Sequence, residues 1–315
     1  MKGGDIIQLE LHEYFALKKK TTLVFPSLKK HVNWKFTVYF KLLVLISSQL
    51  ILNETISKRQ LYYMDVKLFK KQSTVDECID TLARCLGVPI ESLRVTASQK
   101  GLVYADLSIN DQLISRENGC SLVPILPLTS TSKDFEITFN EDPTVQPESI
   151  IILEKDAILS GLVNREKQAA LKKFNNSILV TGRGFPDRLT KHFVNVLVTR
   201  FPRMAVLGYF DSDVYGFIIA LEYKLKPLSF LNRNPCCAGM QIEGSRLFQN
   251  VTSEADLILL TERDIQLSFS TFSNLETQES TIIEDLRYSI TNLQRTLFFG
   301  FKQELKLEDV YSSCT

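Results

Sequence analysis

Ser149-Ile150-Ile151-Ile152-Leu153, a short unbroken apolar run that ends on Glu154, has the composition of a β-strand buried on both faces. Similar apolar runs occupy residues 177–180 and 205–210, and a helix is expected from Asp156 onward. Strand, loop and helix that recur at this spacing predict an α/β fold with a central parallel sheet.

Acidic residues follow two of these runs. Glu154 follows the first, and Asp211 and Asp213 follow the run at 205–210. Because ligands of open parallel sheets bind at the carboxyl ends of the strands, we expect these three carboxylates on one rim. Clustered carboxylates raise one another's pKa unless a cation lies among them, and hard oxygen ligands suit Mg²⁺. The pattern predicts a magnesium site, although solvated acids that cap helices explain most single Asp-x-Asp pairs.

The glycine loop Gly182-Arg183-Gly184 lies between those strands. Its Arg183 could balance the acids or bind a phosphate of DNA. The loop is not a P-loop, since no G-x-x-x-x-G-K-[ST] motif occurs in the chain. We therefore predict no nucleotide-hydrolysing motor.

The segment SKRQLYYMDVKLFKK, residues 57–71, carries a second candidate for chemistry. Ser57 and Gln60 have the spacing of a capping box at a helix start. On that helix Arg59 and Tyr63 stand at i and i+4, so that the guanidinium lies beside the phenol, and Lys58 lies near the positive helix end. A fixed cation stabilises an ionised phenol and can clamp a phosphate. The alternative is that the Tyr-Tyr pair only packs in a core.

Three helices are predicted in residues 34–110. The first spans residues 34–52, the second is the segment just described, and the third runs from Ser73 or Thr74 to Gly87. Alternating apolar residues at 93–97 and 102–104, with a turn at 98–101, predict a β-hairpin. Three helices closed by a hairpin make a CAP-like winged helix. The third helix of this module usually reads duplex DNA, and the wing contacts the DNA backbone, with Lys100 at its tip. Many winged helices bind proteins instead.

The composition is that of an ordinary globular chain of two domains, with 315 residues, 44% of them hydrophobic and 23% charged. Six cysteines without a C-x-x-C pair and only three histidines indicate neither a zinc site nor a disulfide framework, and they favour a reducing compartment. The apolar residues 36–46 are interrupted by Lys41 and predict a buried helix rather than a membrane anchor. No secretory signal is expected after Met1.

Charge is unevenly distributed. Residues 1–73 carry thirteen basic side chains against five acidic ones, while the whole chain has a net charge of +1. This asymmetry favours a basic nucleic-acid face joined to an acidic domain that could hold cations. Solvated lysines on an ordinary surface are the alternative.

The predicted organisation has four parts. Residues 1–33 form a variable, partly ordered N-terminal extension, residues 34–110 the winged helix, residues 111–147 a proline-containing linker, and residues 148–315 the acidic α/β domain. Within the last part, Thr261 begins a helix, and residues 283–302 form an amphipathic terminal helix. A Phe298-Phe299 pair on that helix is more often core than docking site.

With these segments identified, the chain resembles the topoisomerase VI A-subunit family, specifically the eukaryotic branch that makes meiotic DNA double-strand breaks. The resemblance runs from about Trp34 to the C-terminus. It rests on six segments: KRQLYYMDVKLF (58–69), SQKGLVYADL (98–107), IILEK (151–155), TGRGFPD (181–187), FDSDVYG (210–216) and LTERD (260–264). This chain departs from the family pattern at four places. Gln60 stands where the family commonly has Asp, Val214 stands in place of Pro and Lys191 in place of Arg, and residues 238–241 match a family segment only weakly.

The resemblance implies a winged helix followed by a Toprim domain, with Tyr63 as the nucleophile and a metal held by Glu154, Asp211 and Asp213. It implies a nuclear homodimer that acts on double-stranded DNA together with accessory break-forming subunits, with no membrane and no small-molecule substrate. In fungal relatives a QREIFF-like segment engages a WD-repeat protein. Residues 294–299, with Gln294, Arg295, Phe298 and Phe299, resemble that segment.

Three functions follow from these features. The leading one is a Mg²⁺-dependent DNA transesterase in which Tyr63 attacks a backbone phosphorus, giving a 5′-phosphotyrosyl protein, while Arg59 stabilises the charge. The second is a Toprim-type hydrolase in which water attacks and Tyr63 only packs. The third is a non-catalytic winged-helix DNA-binding regulator.

Overall fold

The computed structural model describes residues 6–12, 20–96, 99–109, 112–124, 126, 136–139, 147–169, 173–225, 240–242, 256–275 and 286–313. Residue contacts divide the chain after Ser98. The first unit comprises the described residues up to Thr96, and the second comprises those from Gln99 onward.

The first unit is built mainly of helices. Its elements are β1 (Ile7–His12), β2 (Lys20–Phe25), α1 (Lys30–Leu52), β3 (Ile56–Ser57), α2 (Lys58–Met64), α3 (Val66–Phe69), α4 (Gln72–Leu86), a 3₁₀ turn (Ile90–Leu93) and β4 (Val95–Thr96). Helices α1 to α4 share one core, in which Leu42, Leu61, Phe69 and Ile79 have no exposed surface. This core fixes α2, the helix that carries Tyr63.

An N-terminal hairpin covers part of this core. Strands β1 and β2 pair antiparallel, from Ile7 with Phe25 to His12 with Lys20, and Leu11 and Leu23 are buried among the helices. Residues 7–12 and 20–25 of the predicted partly ordered extension therefore form strands. Each strand has only six residues, which is too short for its alternation of apolar and polar residues to predict a strand from the sequence.

The predicted helix ends are confirmed where a left-handed residue terminates the helix. Asn53 has φ 56° after α1, and Gly87 has φ 67° after α4. The predicted second helix divides at Asp65, whose φ of −154° breaks the helix and whose carboxylate accepts the N–H of Leu68 to begin α3.

Helix α1 is long and apolar enough to cross a membrane, judged by length and composition alone. In this structure one of its faces, with Phe36, Val38, Tyr39 and Ile46, is buried in the core of the first unit. A core helix of a globular domain meets the same criterion.

The predicted β-hairpin wing is wrong. Strand β4 pairs in parallel with β3 in the first unit, whereas residues 102–104 form β5 (Leu102–Tyr104) of the second unit and pair antiparallel with residues 179–181. Gly101 approaches Thr190 of that unit so closely that a Cβ on residue 101 would lie 2.0 Å from Thr190 Oγ1. Burial of Val103 and Tyr104 in a large sheet prevails over the local turn.

The second unit is an α/β domain. Its remaining elements are β6 (Leu107–Ile109), β7 (Gln112–Ile114), β8 (Ser121–Leu122), β9 (Ile137–Phe139), β10 (Ser149–Leu153), α5 (Asp156–Gln168), β11 (Ser177–Thr181), α6 (Arg188–Arg200), β12 (Ala205–Tyr209), α7 (Val214–Lys224), β13 (Gln241–Ile242), β14 (Ile258–Leu259), α8 (Glu262–Leu275), α9 (Arg287–Phe299), β15 (Phe301–Lys302) and α10 (Leu307–Ser313).

The central sheet has six strands in the order β13-β12-β10-β11-β5-β8. The first four are parallel, with Ser149 in register with both Ser177 and Ala205. The parallel sheet predicted from these runs is confirmed for its centre. Antiparallel β5 and β8 make the whole sheet mixed.

The predicted linker at residues 111–147 is wrong for the part that the structure describes. Strands β7 and β9 flank β6 in a three-stranded antiparallel sheet, and β8 joins the central sheet. Ile114, Ile137 and Phe139 are buried in the same core as the central sheet. The described residues of this segment therefore belong to the fold of the second unit.

Candidate active-site residues

Tyr63 and Arg59 meet on one face of α2. The helix begins with the predicted capping box, in which Ser57 Oγ accepts the Gln60 N–H at 3.1 Å and Gln60 Oε1 accepts the Ser57 N–H at 2.9 Å. Arg59 Nε and Nη2 each lie 3.3 Å from Tyr63 Oη. The guanidinium and phenol are therefore held together at the i and i+4 positions that the sequence predicts.

The two neighbouring tyrosines differ in burial. Tyr62 packs against the core of the first unit, whereas Tyr63 is 59% exposed. The core-packing alternative therefore describes Tyr62. Tyr63 is the exposed member of the pair, and its hydroxyl lies beside the guanidinium of Arg59.

Lys58 is drawn into the fold of the first unit. Its Nζ lies 2.7 Å from Asp80 Oδ1 on α4, and the lysine side chain is only 18% exposed. This ion pair joins α2 to α4. Because Asp80 already neutralises the Lys58 ammonium, we expect Lys58 to attract a DNA phosphate less strongly than an unpaired lysine would.

The acidic residues lie at the carboxyl ends of adjacent parallel strands. Glu154 follows β10, and Asp211 and Asp213 follow β12. The Asp211 N–H donates to Glu154 Oε2 at 2.8 Å. Burial raises the pKa of Glu154 to about 7, and the negative charge of Asp211 adds to the shift. Burial also raises the pKa of Asp213, against a hydrogen bond from the Gly216 N–H.

Each acid also has a structural partner. Asp213 caps α7 by accepting the Gly216 N–H at 2.8 Å, and Asp211 accepts the Leu305 N–H at 2.8 Å. Across the described residues no three His, Cys, Asp or Glu side chains are arranged to hold a metal together. The three predicted acids therefore lie on one rim, but their carboxylates do not converge on a common position. An all-oxygen donor set of this kind still fits Mg²⁺, which keeps several waters and needs only one or two carboxylates.

Gly216 allows residues 210–213, here called the acidic loop, to lie close against the start of α7. A Cβ at this position would lie 2.3 Å from the Asp211 carbonyl oxygen. Val214, which stands where the family has proline, is the first residue of α7 after its cap Asp213. The first helical position does not depend on a proline, so the departure leaves this turn intact.

Residues 301–305, here called the C-terminal strap, hold the acidic loop from the other side, and sequence reasoning missed them. Ser212 and Gln303 exchange backbone hydrogen bonds, and Glu304 meets Lys155, which also binds Asp211. Lys302 binds Asp264 of the LTERD segment at 2.9 Å. The charged residues of the strap were the only signal, and no spacing rule connects them to Asp211.

The other predicted DNA contacts lie apart from the positions expected. Arg183 has φ 54° in the loop after β11 and pairs with Asp156 at 3.2 Å, rather than with the three acids. Lys100 precedes β5, where its backbone N–H donates to Asp187 at 2.9 Å. It therefore belongs to the second unit and not to the tip of a wing.

The predicted docking residues are accessible on α9. Gln294 and Arg295 are exposed, Phe298 is 83% exposed, and Phe299 makes an edge contact with it at 5.1 Å. The helix is anchored instead by Leu293 and Thr296. The core interpretation is therefore wrong for Phe298.

Comparison with known proteins gives two family matches. A model described as type IIB DNA topoisomerase matches residues 34–95, which include Tyr63. A second, described as the Toprim domain of Spo11 and of the topoisomerase 6 A-subunit, matches residues 149–288, which include the three acids.

Individual relatives agree with the family matches. The chain is 26% identical to the meiotic recombination protein rec12 of Schizosaccharomyces pombe, over 85% of this chain and 71% of the relative. It is 28% identical to the meiosis-specific protein SPO11 of Saccharomyces cerevisiae, over 96% and 78%. It is 30% identical to the A-subunit of DNA topoisomerase 6 from Arabidopsis thaliana, over 80% and 57%. The chain belongs to the family that unites the A-subunits of type IIB DNA topoisomerases with the meiotic Spo11 proteins.

Proposed function

We propose that this protein is a topoisomerase-like transesterase that makes DNA double-strand breaks in meiosis and so initiates recombination. Its relatives are named as meiotic recombination proteins and as part of a topoisomerase. The observation that carries the proposal is the exposed Tyr63 side chain, whose hydroxyl lies within hydrogen-bond distance of Arg59. A chain that acts on meiotic chromosomes works in the nucleus.

The reaction is an exchange of one phosphodiester for another. The phenol gives up its proton, and Tyr63 Oη forms a bond to a backbone phosphorus as the bond from that phosphorus to the 3′ oxygen breaks. The 3′ oxygen leaves and takes up a proton as a free hydroxyl, and the protein remains on the 5′ phosphate. The number of phosphodiester bonds is conserved, so that no nucleotide hydrolysis is required.

Arg59 has two tasks in this scheme. A phenol with an ordinary pKa of about 10 is a weak nucleophile at neutral pH. The guanidinium of Arg59 lies 3.3 Å from the Tyr63 oxygen, where it would offset the negative charge of the attacking oxygen in the transition state. Its planar fork of N–H donors also suits phosphate oxygens. The same side chain thus activates the nucleophile and holds its target.

Glu154 and the pair Asp211 and Asp213 are the residues that would hold Mg²⁺. A bound Mg²⁺ supplies positive charge for the leaving oxygen and the non-bridging phosphate oxygens. Burial of Glu154 supports the assignment, because a carboxylate that is costly to ionise alone is stabilised by a cation.

The proposal extends to partners. Lys58, Lys100 and Arg183 contact the DNA backbone, and two protomers act as a C2 homodimer because a double-strand break needs two nucleophiles. Residues 294–299 bind a WD-repeat protein among the accessory break-forming subunits. The exposure of Phe298 and Phe299 supports this last assignment.

One experiment distinguishes the three candidate functions. The protein is incubated with DNA and Mg²⁺ and then denatured, with Tyr63→Phe treated in parallel. DNA that stays covalently attached to wild type, but not to the variant, supports the transesterase. Free cut ends indicate the hydrolase, and DNA that is bound but uncut indicates the regulator.

A further inference from the structure

Lys155 bridges two acidic side chains from different parts of the second unit. Its Nζ lies 2.8 Å from Asp211 Oδ2 and 3.0 Å from Glu304 Oε2. Asp211 is 10% exposed at its side chain, whereas Glu304 is 67% exposed. The ammonium group is therefore shared between a largely buried acid of the rim and an exposed acid of the C-terminal strap.

The bridge bears directly on how Asp211 can bind a cation. Asp211 Oδ1 accepts the Leu305 N–H, so both of its oxygens have partners within the chain. A cation that takes Oδ2 would meet the positive charge of Lys155 at close range, and two such charges repel strongly in a partly buried site. Lys155 and a metal ion therefore compete for the same carboxylate oxygen.

Glu304 offers the displaced lysine a second position. It already accepts the Lys155 ammonium at 3.0 Å, and it belongs to the segment whose Gln303 pairs with Ser212. An ammonium that leaves Asp211 can thus remain paired without crossing the site. Because Glu304 is exposed, this pairing involves little further desolvation.

We propose that Lys155 is a built-in counter-cation that exchanges with the metal ion at Asp211, and that Glu304 receives it. The inference rests on the proposed metal site and adds a regulatory element to it. Lys155 lowers the affinity of the rim for metal, and Glu304 partly restores that affinity. Movement of the C-terminal strap would accordingly change metal affinity.

The test measures metal binding directly, without DNA and without activity. Mn²⁺ is titrated into the full chain and the free ion is quantified by electron paramagnetic resonance. Lys155→Met should bind Mn²⁺ about tenfold more tightly, since it removes the competing charge. Glu304→Gln should bind several-fold more weakly, and the double variant should match Lys155→Met, because the effect of Glu304 acts through Lys155.

The controls separate this inference from the metal site itself. Arg165→Met removes a matched ion pair between α5 and Glu308 of α10 and should leave Mn²⁺ binding unchanged. Glu154→Ala should abolish binding. If wild type does not bind Mn²⁺, or Glu154→Ala binds it equally well, the metal site fails and the exchange with it.

If wild type binds but Lys155→Met binds equally or more weakly, the metal site stands and the exchange is wrong, because Lys155 then only positions Asp211. The exchange is also wrong if both single variants lose Mn²⁺ affinity equally and the double variant shows the sum of the two losses. Lys155→Gln provides a second neutral variant should the methionine impair folding, and Glu304→Gln changes only an exposed side chain.

Discussion

Arg59 and Tyr63 form a paired unit on the surface of α2, with two guanidinium nitrogens 3.3 Å from the phenol oxygen. The pairing depends on a helix of only seven residues, Lys58–Met64. Its capping box and the burial of Leu61 hold that short helix in place. The position of Tyr63, the proposed nucleophile, therefore depends on the capping box and on the packing of Leu61.

Tyr63→Phe should abolish DNA cleavage and leave DNA affinity nearly unchanged. The substitution removes one nucleophilic oxygen and no positive charge. Cleavage is measured as covalent protein–DNA adduct, and affinity by fluorescence anisotropy. Tyr62→Phe is the matched control and should still cleave. An inactive Tyr62→Phe beside an active Tyr63→Phe would reverse the assignment.

Lys100→Ala should weaken binding to all DNA sequences about equally. A lysine on the phosphate backbone contributes about one unit to the slope of log affinity against log salt. The slope should therefore fall by about one. Lys58→Ala should lower it less, since Lys58 is paired with Asp80. An unchanged slope for Lys100→Ala would remove this residue from the DNA surface.

Glu154 should make stability depend on pH. Its folded pKa of about 7 lies above the ordinary value of 4.5. The folded state therefore binds the proton more tightly, and the stability that this provides is present below about pH 4.5 and is lost as pH rises through 7. The side chain of Glu154→Gln stays neutral at every pH. The free energy of unfolding of this variant should therefore exceed that of wild type by a difference that grows to roughly 3 kcal/mol by pH 8.

Urea unfolding at several pH values, with a chelator present, measures this difference. Added Mg²⁺ should stabilise wild type at pH 8, because the cation favours the ionised carboxylate. The difference in free energy of unfolding between Glu154→Gln and wild type should then become smaller. Glu117→Gln, which neutralises an exposed acid of the second unit, is a control for general charge effects. A difference between Glu154→Gln and wild type that stays constant with pH would show that Glu154 is ionised normally.

Local signals in the sequence predicted much of this structure. The capping box at Ser57, the left-handed end at Gly87 and the apolar run at 149–153 each lie within a few residues, and each is observed. The acids also met on one rim, because parallel strands bring their carboxyl ends to the same edge.

Contacts between distant segments were not predictable in this way. Leu102–Tyr104 had the pattern of a local hairpin, but it pairs with residues 179–181 of the sheet. Lys155 and Glu304 are 149 positions apart and share no period or motif. Such contacts depend on tertiary packing, which a single sequence does not encode in its local patterns. This explains why the wing and the linker were wrong, and why the strap was missed.

Phe298→Ser should abolish binding of the WD-repeat partner without loss of stability. Its side chain is 83% exposed, so little packing is removed. Binding is measured by pull-down with the purified partner, and stability by thermal unfolding. Phe269→Ser on α8, also exposed, is the control and should still bind. Retained binding by Phe298→Ser would place the partner elsewhere.

The arrangement of two protomers can be tested by complementation. Tyr63 lies in the first unit and the acids lie in the second, and the family resemblance implies that each tyrosine works with the acids of the other protomer. A Tyr63→Phe chain is paired with a Glu154→Ala chain. In a trans arrangement one composite site loses both halves of the chemistry while the other keeps both, so the mixed dimer should nick one strand.

In a cis arrangement every site of the mixed dimer lacks one half, and no nick can form. Heterodimers purified with two different tags are incubated with supercoiled plasmid and Mg²⁺, and nicked circles are counted after protease treatment. Both homodimeric variants set the background. Nicking above that background supports trans assembly, because only a site built from two chains can be complete. Background nicking by a heterodimer that binds DNA normally, beside an active wild type, would show that each chain uses its own acids.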